Sequence, residues 1–338
     1  MLSIQEAAVR RRLDDDELYL RMQNALAEME TELLRLCAEA KSEQMRNDLK
    51  RIVAAGGKRL RSALAYLCYQ MGQRRTGQLE SSPCPILSLM CMLELMHTAS
   101  LIHDDVVDGA EMRRGVVTIN GTSGRLAAVA SGDFLLAKAM EKLRYYQGTG
   151  INEALATVSA EMCLGEFQQQ RSRYDLHAQN EMLYFLQIRR KTSCFLAASC
   201  YTGALAGGMH PNEADPLRRY GDRFGLAFQL MDDLLDFKGA PAFGKQPGRD
   251  IQSGIFTLPI LVLKDTLPDE LLHLLEQRHK TSREVRTVLD FVCGTDALQH
   301  TAERVRRYAG EAGDALSSFK DTPEKAALVK LSDALMER

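Results

Sequence analysis

Between Met92 and Val107 the chain reads MLELMHTASLIHDDVV, a helical run with apolar residues on nearly every side. A helix of that kind has to be buried all round, so it belongs in the middle of a helical bundle rather than on a surface. It nevertheless ends in three aspartates, Asp104, Asp105 and Asp108. The carbonyl end of a helix carries partial negative charge, so carboxylates there are repelled by the backbone and by one another. Such an end calls for cations.

The rest of the chain points to the same fold class. Stretches rich in Ala, Leu, Met, Glu, Gln and Arg alternate with short Gly or Pro punctuation, and strand signals are nearly absent. Breaks are expected around Gly56-Gly57, Gly72 to Pro85, Gly109 to Gly124, Gly148 to Gly150, Gly207 to Pro216, Gly239 to Gly254, Pro268 and Pro323. No Ser/Gly-rich or charged linker divides the 338 residues, so 1–338 is read as a single large all-α domain. A formal charge of -2 argues against a polyanion-binding face, and no nucleic-acid partner is expected. The eight cysteines form no CxxC pair and no zinc spacing, which predicts reduced thiols packed in the core. The N-terminus MLSIQEAAVRRRLDDDE lacks the apolar run of a signal peptide. The longest apolar stretch is read near Ile255 to Leu263, too short to span a bilayer and interrupted by Thr257 and Pro259. A soluble, cytoplasmic protein without a transmembrane segment is therefore expected.

The acidic pattern occurs twice. Asp104-Asp105-Val-Val-Asp108 returns as Asp232-Asp233-Leu-Leu-Asp236, again at the end of an apolar helical run. The first and last aspartates of each copy share a helix face, while the middle one points aside. One such cluster is most often a solvated acidic face, as at Asp14-Asp15-Asp16; two in apolar helices point to bound cations. Oxygen-only ligands suit a hard ion such as Mg²⁺, which completes its shell with water and phosphate oxygens. A phosphorylated ligand follows. Arg113-Arg114-Gly115 lies just past the first cluster, and Gly56-Gly57-Lys58-Arg59-Leu60-Arg61 is a glycine turn opening a helix, where free N–H groups favour an anion. His97 lies two turns before Asp104 on the same face, where a satisfied core histidine is the competing reading.

Taken together, ELMHTASLIHDDVVDGAEMRRG, GGKRLRSAL, GEFQQ, Lys191-Thr192, FQLMDDLLD, GIFTLP and the closing LSDALMER resemble the trans-isoprenyl diphosphate synthases, or polyprenyl synthetases. The resemblance runs in order from about residue 50 to 260 and implies the all-α isoprenoid-synthase fold, a helical bundle around a central cavity, usually as a homodimer. It implies that Asp104, Asp108, Asp232 and Asp236 hold Mg²⁺, with Mn²⁺ as a substitute, and grip an allylic diphosphate with help from Arg113. Isopentenyl diphosphate is then expected on Lys58, Arg61, His97 and Arg114. Lys191, Thr192 and Gln229 match positions lining the allylic cation, and Lys245 and Asp250 match later diphosphate and metal-shell positions. Ile255 and Val117 depart from the family pattern, which commonly has lysine and proline there. Small Ala99 and Ser100, with Met92, Leu95 and Met96 deeper in, imply room for a medium- or long-chain product.

Two other readings use the same residues. Glu94-x-x-His97 and Glu270-x-x-His273 match the pattern of di-iron carboxylate bundles. Alternatively, the chain is an obligate subunit of a two-component synthase.

Overall fold

A computed structural model describes residues 16–77, 85–239 and 247–336. Those residues are helical almost throughout. The first elements are α1 (Asp16–Ala38), α2 (Glu43–Ala54), α3 (Leu60–Thr76) and α4 (Pro85–Val107), then a two-residue hairpin of β1 (Met112–Arg113) and β2 (Val116–Val117), and α5 (Ile119–Lys142). There follow α6 (Ile151–Ser172), α7 (Glu181–Ile188), α8 (Cys194–Ala206), α9 (Pro211–Lys238), α10 (Arg249–Gln252) and α11 (Leu258–Leu261). The last four are α12 (Asp269–Glu276), α13 (Ser282–Cys293), α14 (Ala297–Ala315) and α15 (Pro323–Met336). Polar caps set several boundaries. Ser42, Thr118 and Asn180 each accept a backbone N–H three residues on, and Thr281 with Glu284 closes a reciprocal capping box on α13.

The chain clusters into two compact units. The first comprises residues 1–154, 199–217 and 319–330, and the second 155–198, 218–318 and 331–338. In the first unit α4 is the core helix: Leu89, Met90, Met92, Leu93, Leu95, Ala99 and Ile102 are all buried, against α5, α3 and α1. This accounts for its all-round apolar sequence. Its run Ile86–Val107 is long and apolar enough to cross a membrane by length and composition, so the longest apolar segment is here rather than near Ile255. Most of it is buried inside the chain, as a core helix is.

Two expected breaks differ for steric reasons. Gly72 lies inside α3 because the backbone of Gly207 passes so close that a Cβ at Gly72 would meet it at 2.9 Å. It permits contact rather than ending a helix. Pro216 lies in the second turn of α9, where it forfeits only the bond to the Asn212 carbonyl. A close backbone approach in the first unit is at Gly203 on α8, where a Cβ would stand 2.2 Å from the Ala65 carbonyl oxygen of α3. Gly203→Ala is therefore expected to destabilise by about 3 kcal/mol or more. Gly310→Ala, in α14 with open space around it, should instead stabilise by roughly 0.5 to 1 kcal/mol. Denaturant midpoints of the two variants check both signs.

Seven cysteines are described and none of these forms a disulfide. Cys37, Cys68, Cys91 and Cys200 are buried as expected, but Cys163 and Cys293 are exposed.

Candidate active site

In the first unit the basic and acidic motifs meet at the end of α4. The last turn is closed by backbone bonds: the N–H groups of Asp108, Gly109 and Ala110 donate to the carbonyls of Asp104, Val106 and Asp105. This ties up carbonyls that would otherwise repel the carboxylates. Asp104 is half-buried and Asp108 exposed, whereas Asp105 between them is 3% exposed and accepts from Arg113 Nε at 2.7 Å. Burial pushes the Asp105 carboxyl up, and Arg113 opposes that shift.

The hairpin that carries Arg113 also carries Arg114, whose φ of 51° is left-handed. Its guanidinium reaches back to donate to the Gly56 carbonyl, and a side chain at Gly57 would strike it at 2.6 Å. The second glycine thus leaves room for the Arg114 guanidinium, and its own backbone is not left-handed. Lys58 is exposed in the same turn and Arg61 is half-buried in the first turn of α3. Gly56, Arg59, His97, Asp105, Arg113 and Arg114 line one pocket. His97 is held well below its ordinary range, first by burial and then by Arg61, Arg114, Arg113 and Arg59, so its imidazole is neutral. Met92, Leu95 and Ala99 have no exposed surface, and the half-buried Ser100 donates to the His97 carbonyl at 2.8 Å.

The second acidic cluster, in the second unit, repeats the division of labour. Asp232 is half-buried, while Asp233 is 2% exposed and accepts hydrogen bonds from the Tyr184 hydroxyl and, at 2.9 Å, from Gln229 Nε2. Burial pushes Asp233 up to about 7 against the pull of those two donors. The amide carbonyl of Gln229 in turn accepts from Thr192 Oγ1 at 2.8 Å. Thr192 and Lys191 lie in a π-helical turn over Arg189–Ser193, closed by the Cys194 N–H donating to the Arg189 carbonyl. Single π turns of this kind often mark functional sites. Lys191 Nζ donates to Glu166 at 2.5 Å and to Gln169 at 3.4 Å. Asp236 accepts the backbone N–H groups of Arg249 and Asp250 at 3.2 and 3.1 Å, so it caps the short helix α10. Asp250 is held well above the usual carboxylate range by burial and by Asp236, Asp233 and Asp232. Lys245 lies outside the described residues.

Sequence reasoning missed Tyr184, Arg59 and the role of Glu94. Tyr184 sits in the apolar run MLYFLQI, where nothing marks its hydroxyl as a donor to Asp233. Glu94 accepts from Arg59 and Ser62, and Glu270 and His273 are exposed on α12. Among the described residues no three His, Cys, Asp or Glu side chains are grouped to hold a metal by themselves, so the di-iron pattern is not assembled.

The sequence model of the polyprenyl synthetases matches residues 42–292. The chain is 34% identical over 252 residues to a probable mitochondrial hexaprenyl pyrophosphate synthase of Neurospora crassa, covering 72% of this chain but 56% of that protein. It therefore spans little more than half of that fungal relative. Over 297 residues it is 32% identical to heptaprenyl diphosphate synthase component 2 of Geobacillus stearothermophilus, covering 87% and 90% of the two chains. A polyprenyl synthase of Caulobacter crescentus, crystallised with calcium and isoprenyl diphosphate, superimposes with a TM-score of 0.85 at 30% identity, covering 96% and 97%. The fold is that of the all-α isoprenoid synthases, and the chain belongs to the polyprenyl synthetase family. Its members named here are prenyl-transferring enzymes, and one of them binds a divalent metal.

Proposed function

We propose that this chain joins isopentenyl diphosphate head to tail onto an allylic diphosphate (geranyl, farnesyl or geranylgeranyl) and yields a medium- or long-chain all-trans polyprenyl diphosphate. The observation that carries this reading is the pairing, at the end of α4 in the first unit, of a guanidinium-lined pocket around neutral His97 with the carboxylates of Asp104, two turns on, and Asp108, just past the helix end. Anion capture and cation capture stand side by side there.

The donors at the aspartates are carboxylate oxygens on incompletely buried positions, which fits a hard divalent ion that keeps waters and takes phosphate oxygens. Mg²⁺ is the ion proposed, with Mn²⁺ as a substitute, and Asp104 and Asp108 in the first unit and Asp232 and Asp236 in the second are its proposed ligands. Bound there, the ion supplies positive charge that neutralises the leaving pyrophosphate. Arg113, anchored on Asp105, adds a guanidinium beside that diphosphate. Lys58, Arg61 and Arg114 hold isopentenyl diphosphate, and neutral His97 offers a hydrogen bond without adding to their mutual repulsion. The allylic C–O bond breaks, the double bond of isopentenyl diphosphate attacks the resulting cation, and the proton released from the adduct passes to pyrophosphate. Thr192 and Gln229, linked to each other, present oxygen dipoles to that cation. Lys191 stands at the same turn with Glu166 as counterion, which limits its repulsion of the cation. Lys245 is retained as a diphosphate contact.

The same reading takes 1–338 as one catalytic domain, acting in the cytoplasm as a homodimer. A requirement for a partner subunit is the second reading, favoured by the name of the Geobacillus relative, a component of a synthase. Incubating the purified chain alone with isopentenyl and farnesyl diphosphates and Mg²⁺ tests both. Dephosphorylated products longer than the starter, lost on chelation, are expected on chromatography. Turnover only after a partner is added selects the second reading, and no product under either condition overturns the proposal.

A further inference from the structure

Glu94 is a buried carboxylate for which the proposed chemistry has no use. It lies on α4 three residues before His97, is 3% exposed, and accepts from Ser62 Oγ at 3.0 Å and from Arg59 Nη1 at 3.1 Å. Arg59 is unusual in its own right. Its φ of 46° puts a non-glycine residue in the left-handed region at the N-terminal boundary of α3, with no side-chain cap. Backbone in that region is unfavourable for an L residue and persists only where its surroundings enforce it. The surroundings here act through the guanidinium. Nε donates to Glu30 at 3.1 Å, Nη1 to Glu94, and Nη2 to the Val53 carbonyl at 3.2 Å, drawing the side chain inward to 9% exposure. Each side-chain nitrogen of Arg59 thus donates to an acceptor of the protein itself, although the residue stands between Lys58 and Arg61 in sequence.

Its anchor thus shapes the turn. The backbone of Gly56-Gly57, three and two residues earlier, accepts and accommodates the Arg114 guanidinium. Glu94 also bears on charge. Arg114 is destabilised as a cation by burial, Arg113 and Arg59, and Glu94 and Asp105 are the carboxylates that oppose this. Of those two, Asp105 is bonded to Arg113 and Glu94 to Arg59.

We propose that Glu94 is a positioning residue: by pulling Arg59 inward it fixes the left-handed turn that presents Lys58, Arg61 and the docked Arg114 to a diphosphate, while touching no substrate itself. The identity of that diphosphate as isopentenyl diphosphate rests on the function proposed above.

Binding of inorganic pyrophosphate to the full chain without divalent cation, followed by calorimetry, isolates the direct basic contacts and needs no turnover. Glu94→Gln keeps the volume and the Ser62 bond but removes the counterion of Arg59. It should weaken pyrophosphate binding on the order of tenfold, the loss expected for one charged hydrogen bond. The KM for isopentenyl diphosphate should rise by a similar factor, with kcat and the KM for the allylic substrate changing far less. The double variant Glu94→Gln/Arg59→Met should bind no worse than Arg59→Met alone, because the two residues act as one unit. Ser62→Ala, a gentler change, should move the same quantities in the same direction by less. Unchanged pyrophosphate affinity in Glu94→Gln, equal losses for both substrates, or additive losses in the double variant would overturn the role. If the parent chain makes no prenyl product either alone or with an added partner, the function proposal fails while the pyrophosphate measurements still decide Glu94.

Discussion

Asp104→Asn is expected to leave the chain folded and to lower turnover on the order of 10³-fold, as removal of one group that stabilises transition-state charge does. The same change one residue on, Asp105→Asn, should do the reverse. Asp104 is half-buried at the end of α4, where a carboxylate can take a hydrated cation; Asp105 is buried and bonded to Arg113. Asparagine at 104 keeps the size and removes the charge that a hard cation requires. At 105 it weakens a charged hydrogen bond in a buried setting, at a cost of about 1 to 2 kcal/mol. Turnover at saturating Mg²⁺ and the denaturant midpoint, measured on both variants, separate the two roles. Equal effects at the two positions would contradict the division within the cluster.

That division was only half legible in the sequence. The i, i+4 spacing puts Asp104 with Asp108, and Asp232 with Asp236, on one face, and it sets the middle residue aside. It does not say that Asp105 and Asp233 are buried anchors, because their partners Arg113 and Tyr184 lie on other elements. Helices and basic motifs were readable for a local reason: caps, helix formers and the GGKR and RRG turns carry their chemistry within a few residues. What stayed hidden was long-range. Gly72 read as a breaker because its neighbour across the contact, Gly207, is far along the chain. Glu94 read as half of a metal motif because Arg59 reaches it only after α3 and α4 pack. Asp236 read as a ligand alone, yet it also caps α10, a turn too short to leave a periodic signal.

The hydrogen-bonded chain in the second unit sets up the other large effect. Asp233→Ala should cost about 3 kcal/mol or more, because it strips the acceptor from two donors at once, the buried Tyr184 hydroxyl and the Gln229 amide. Turnover should fall as well, although Asp233 is no proposed ligand. With Asp233 in place, Gln229 must donate toward it, so the amide carbonyl is the end that accepts from Thr192. Without it the amide is free to turn over, and Thr192 loses the partner that fixes its hydroxyl. Tyr184→Phe removes one of the two donors and leaves the Gln229 orientation intact, so it should cost about 1 to 2 kcal/mol with little loss of turnover. Thr192→Val should do the opposite, lowering turnover with a small change in stability. Midpoints and kcat for the three variants check the order. If Tyr184→Phe impaired turnover as much as Asp233→Ala, the effect would run through burial of the carboxylate rather than through the amide, and Thr192 would be a bystander.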